Sequence, residues 1–82
     1  MRTIAQINAN ANEIRNTMKG LSTQIDLLEK DFQSNAVKMT GSRCDAFDEL
    51  IADLKAAREA LNQMWHMEME EIEDLKETSN NY

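Results

Sequence analysis

Apolar residues Ile4, Ile7, Ala11, Ile14, Met18, Leu21, Ile25, Leu28 and Phe32 recur at alternating steps of three and four. That spacing keeps to one side of a helix, so it predicts one long amphipathic helix over residues 3–38. The rhythm restarts beyond Gly41 with Phe47, Leu50, Leu54, Ala57, Leu61 and Met64, and Ile72 and Leu75 carry an apolar face onward. This second run predicts a helix over residues 43–78, with a turn at residues 39–42. Two helices of similar length joined by a short break fold back on each other, because each apolar seam needs cover. The expected architecture is all-α: residues 1–82 form a single domain, an antiparallel two-helix hairpin.

Local signals refine this plan. The Thr3 hydroxyl is placed to cap the first helix. Asn8, Asn10, Asn12 and Asn16 are poor helix formers, so the first dozen residues are expected to fray without a partner. Gly20, between Met18 and Leu21, marks either a bend or a close contact. Ser42 as cap with Asp45 three residues on suits the start of the second helix. That helix carries a second apolar edge, Ile51, Leu61, Trp65, Met69 and Ile72, which either wraps the hairpin's own core or forms a surface another chain buries. The polar tail Ser79-Asn80-Asn81-Tyr82 is expected to fray.

Size changes the picture first. A chain of 82 residues buries a modest fraction of its surface, and a lone hairpin has no true interior, so a dimer completing a four-helix bundle is expected. The absence of proline and the presence of only two glycines suit long helices. Charge then narrows the partners. A net charge of −6 repels phosphate backbones, which argues against nucleic acid. No stretch is apolar enough to span a bilayer, and the N-terminus lacks the apolar core of a cleavable signal peptide. Residues 1–41 hold five Lys/Arg and four Asp/Glu, whereas residues 42–82 hold four and eleven. The acidic end of the second helix, Glu68 to Glu77, is either a solvated face or a docking surface for a basic partner.

Catalytic and metal chemistry find little purchase. His66 lacks the Glu three residues before it that a helix-borne metal motif wants; Gln63 stands there. Cys44 has no second cysteine and reads as a filler of the turn. No enzyme activity, cofactor or metal is expected. The residues expected to carry packing and partner interface are Ile14, Met18, Leu21, Ile25, Phe32, Leu54, Leu61 and Trp65, together with Phe47.

The string Met39-Thr40-Gly41-Ser42-Arg43-Cys44-Asp45-Ala46-Phe47 resembles the turn of the Trp-X-Gly (WXG) family of helical hairpins exported by type VII secretion systems. Gly41 and Phe47 fall where that family places its glycine and its following aromatic, while Met39 stands in place of the tryptophan and Arg43 in place of a small residue. The family's Tyr-x-x-x-Asp/Glu tail is not matched, because Tyr82 is the last residue. The resemblance implies a divergent, non-enzymatic WXG-like partner or targeting chaperone. Such a partner binds the helical domain of a Leu-X-Gly (LXG) toxin or a sister hairpin, in the bacterial cytoplasm or exported by type VII secretion. The alternatives are an independently secreted WXG-type effector and a structural, self-associating coiled-coil hairpin.

Overall fold

The computed structural model describes residues 1–80, with side chains through residue 78. Helix α1 spans Ile4–Asn35 and α2 spans Gly41–Asn80, linked by a 3₁₀ turn at Ala36–Lys38. The helices run antiparallel. Phe32 packs on Phe47 beside the turn with ring centroids 5.8 Å apart, Arg58 reaches Ser22 midway, and Asn10 reaches Glu68 near the open end. The rod measures 65 × 16 × 15 Å, close to the roughly 60 Å that α2 alone requires at about 1.5 Å per residue. The fold is an all-α antiparallel hairpin.

α1 begins where its orphan N–H groups find partners. The Thr3 hydroxyl accepts from the Gln6 N–H at 3.1 Å, and the Gln6 side chain accepts from the Thr3 N–H at 2.8 Å, a reciprocal capping box. Arg2, just before it, is tied to α2. Within the asparagine-rich opening, Asn10 also bonds across to Glu68 of α2, while Asn8, Asn12 and Asn16 are exposed.

Along α1 the seam follows the apolar spacing, with Ile7, Ala11, Ile14 and Ile25 buried and Ile4, Met18, Leu21, Leu28 and Phe32 half-buried. Along α2 it does not. Leu50, Ala57 and Met64 are exposed, and the covered line runs through Phe47, Ile51, Leu54, Arg58, Leu61, Trp65, Glu68, Ile72 and Leu75, with Cys44, Asn62, Met69 and Glu71 half-buried beside it. The line too advances by alternating threes and fours, the signature of a coiled-coil seam, but two of its residues are charged. The edge through Ile51, Trp65 and Ile72 therefore wraps the hairpin's own core, and the edge through Leu50 and Met64 is left outside.

The turn also departs from expectation. α1 ends at Asn35, whose side-chain amide donates to the Asp31 carbonyl and carboxylate at 3.0 and 2.8 Å. After the 3₁₀ turn, Met39 is extended (φ −92°, ψ 148°). This sets Thr40 at the helix boundary. Thr40 and not Ser42 supplies the cap, its hydroxyl accepting from the Arg43 N–H at 3.3 Å and its carbonyl from the Cys44 N–H at 3.0 Å. Ser42 lies inside the first turn, past the point where capping is possible. Gly41 is the first residue of α2 and has no positive φ, so the reversal does not depend on glycine. A Cβ on Gly20 or Gly41 would meet nothing within 4 Å, which rules out a close contact within the chain at Gly20. The expectation for Asn81 and Tyr82 lies outside the described residues; Ser79 and Asn80 continue the helical backbone.

Candidate partner-binding surface

The turn residues singled out by sequence meet different surroundings. Met39 and Phe47 are half-buried, Phe47 against Phe32, whereas Gly41 is exposed. Cys44 fills the turn, with its thiol 3.8 Å from the Ala36 carbonyl. Ile14, Met18, Leu21, Ile25 and Phe32 of α1 face Leu54, Leu61 and Trp65 of α2 along the intrachain seam, all buried or half-buried. The hairpin itself covers them. Met18 and Trp65 also line an open groove on one flank, and further apolar residues lie outside the seam.

The seam divides the hairpin's long sides into two flanks of unlike chemistry. On one, Arg15, Lys19, Ser22, Arg58, Glu59 and Asn62 line a shallow groove that continues to Trp65. Here Lys55 pairs with Glu29 at 2.8 Å, and Arg58 donates to the Ser22 hydroxyl at 3.3 Å. The Arg58 stem covers apolar surface while its guanidinium reaches the groove, which is how an arginine occupies a seam position. On the other flank, Met64 and Met67 border a depression with Asn10, Ile14 and Glu68. Leu50 and Ala57 lie two heptads and one heptad before Met64 on the same side, and Ala60 lies one heptad before Met67. Leu50, Met64 and Met67 are 46%, 49% and 65% exposed, and Leu27 on the same side of α1 is 62% exposed. Apart from Met1 and Val37 at the two ends of the rod, these are the exposed large hydrophobics among the described residues.

At the open end, the acidic stretch is partly answered within the chain. The Arg2 guanidinium donates two bonds to Glu68, both at 2.7 Å, and one to Glu71 at 2.5 Å. The Asn10 amide adds a third donor to Glu68 at 3.0 Å. Glu68 is the buried charged residue of the seam among the described residues. The Arg2 bonds, helped by Asn10, hold its carboxyl below the ordinary glutamate value, and the same bonds push the Arg2 guanidinium above its own. Bidentate pairing of this kind is the strong form of a carboxylate contact. Sequence reasoning did not assign Arg2; its signal was the antiparallel alignment, which sets the first residues of α1 beside the last turns of α2.

Chemistry beyond recognition is sparse. His66 is exposed, its ring edge-on to Trp65 with centroids 5.2 Å apart. Among the described residues, no cluster of His, Cys, Asp and Glu is arranged to hold a metal ion, and no helix is long and apolar enough to cross a membrane. No family model matches the chain, and no curated protein or solved structure matches it.

Proposed function

We propose that this chain is a non-enzymatic binding module: a WXG-like hairpin that serves as partner or targeting chaperone for the helical domain of a type VII secretion toxin, or for a sister hairpin. The observation that carries the reading is the run of exposed Leu27, Leu50, Met64 and Met67 along one flank of a hairpin whose seam is already closed. Large apolar side chains gathered on one flank of a small helical rod, and not scattered over it, suit a site that another chain covers. Burial there is worth about 25 cal/mol per Å² of apolar area, before the cost of association. The turn supports the reading too: Phe47 follows Gly41 at the family spacing and packs on Phe32 where α2 leaves the turn.

The test is co-expression with the helical domain of an LXG-type toxin or a WXG-like hairpin encoded beside this chain's gene. A complex that survives gel filtration is expected. Failure to form one with either class of partner, together with a tight homodimer on sedimentation, overturns the proposal in favour of a self-associating structural hairpin.

A further inference from the structure

The geometry points to the chemistry of the partner: the flank bearing Leu50, Met64 and Met67 takes an amphipathic helix whose apolar stripe is bordered by lysine and arginine. This inference rests on the reading of the chain as a binding module and adds which face binds and what it accepts. Three observations carry it together. The first is the apolar run itself, which lies beside the seam and so offers a third helix a lane between α1 and α2.

The second is what α1 contributes to that lane. Thr17, Gly20 and Gln24 fall on this side by the same heptad spacing, all uncharged, and the space over Gly20 is open. Backbone without a side chain permits close approach.

The third is charge. The ionisable residues that share the flank are Glu13, Asp31, Asp53, Glu68, Glu71 and Asp74, with Lys38 and Arg43 confined to the turn end and Arg2 to the open end, where it already pairs with Glu68 and Glu71. Arg15, Lys19, Lys55 and Lys76 all fall on the opposite flank. An apolar lane edged by carboxylates and free of cations along most of its length discriminates among helices. It attracts basic borders and repels acidic ones. A second copy of this chain meets the lane poorly, because each copy brings more carboxylates than cations to the shared face.

The experiment uses the full chain and two designed amphipathic helices with one apolar stripe, bordered by Lys/Arg in one and by Glu in the other. Binding is read by fluorescence anisotropy of the labelled helix at low and high salt. The Lys/Arg helix is expected to bind at least about tenfold more tightly than the Glu helix, and to weaken as salt rises. The double variant Leu50→Gln/Met64→Gln is expected to lose at least about tenfold in affinity, with its helical circular dichroism unchanged at the assay temperature. The pair Arg15→Gln/Lys19→Gln on the opposite flank is expected to bind as the parent does.

Equal binding of both helices, or binding that survives Leu50→Gln/Met64→Gln, overturns the assignment of face and partner while leaving the binding-module reading intact. Binding of neither helix, with toxin-domain binding retained in co-expression, also overturns only this inference. Loss of both removes the binding-module reading as well. A dimer of the chain alone that dissociates in the double variant gives the face to a second copy and overturns the basic partner.

Discussion

Truncating two neighbouring residues, Leu50→Ala and Ile51→Ala, asks which of two apolar edges of α2 holds the hairpin together. Ile51 is 8% exposed in the seam, whereas Leu50 is 46% exposed beside it. Removing a buried isoleucine side chain costs about 2–5 kcal/mol, and the lower end applies here because a two-helix seam is open to solvent on both sides and closes partly over the gap. Alanine's better helix propensity returns a few tenths of a kcal/mol, leaving a loss of about 2 kcal/mol. Full burial of leucine is worth about 1.5–3 kcal/mol, and only about half of it is realised at Leu50, so its truncation costs about 1 kcal/mol. The gap of about 1 kcal/mol corresponds to melting temperatures about 4–8 °C apart for a domain of this size. Thermal and urea melts by circular dichroism at low protein concentration measure it. A Leu50→Ala variant as damaged as Ile51→Ala, or more so, would refute the seam described above.

Further expectations follow from the caps, the glycines and the open end. Gly20→Ala stabilises by about 1 kcal/mol and Gly41→Ala by about 0.5 kcal/mol in urea melts, since neither position needs glycine and both have room for a methyl group. Thr3→Ala loses about 1 kcal/mol in the same assay through the lost cap, and its hydrogen exchange quickens first in the opening turn of α1. Because Arg2 and then Asn10 lower the Glu68 carboxyl below its usual 4.5, its contribution is complete above that pH. It is lost as pH falls through the lowered native value. Urea midpoints of the parent and Glu68→Gln should therefore differ at neutral pH and converge in strong acid. A constant difference across pH counts against the Arg2 contact.

The helices and their pairing were legible because an apolar stripe at steps of three and four has one geometric meaning. The seam of α1 could be read residue by residue, since Ile4 through Phe32 offers one candidate line. α2 offers two lines that share Phe47, Leu54 and Leu61 and differ between them. A search for apolar residues prefers Leu50, Ala57 and Met64, because the line actually buried passes through Arg58 and Glu68. Those two are admissible only once Ser22, Asn10 and Arg2 are known to face them, which is tertiary information. The turn misled for a related reason. Glycine usually marks a reversal, but here an extended Met39 and the Thr40 cap make the corner with ordinary backbone angles.

The two charged residues in the seam also govern alignment. Sliding α2 along α1 by one heptad, about 10 Å, would lay the apolar stripes over one another almost as well as before. It would, however, draw Glu68 away from Asn10 and Arg58 away from Ser22, removing the partners these two charged groups have in the seam. Arg58 and Glu68 thus serve as index marks that let the folding chain reject slipped pairings and settle into one.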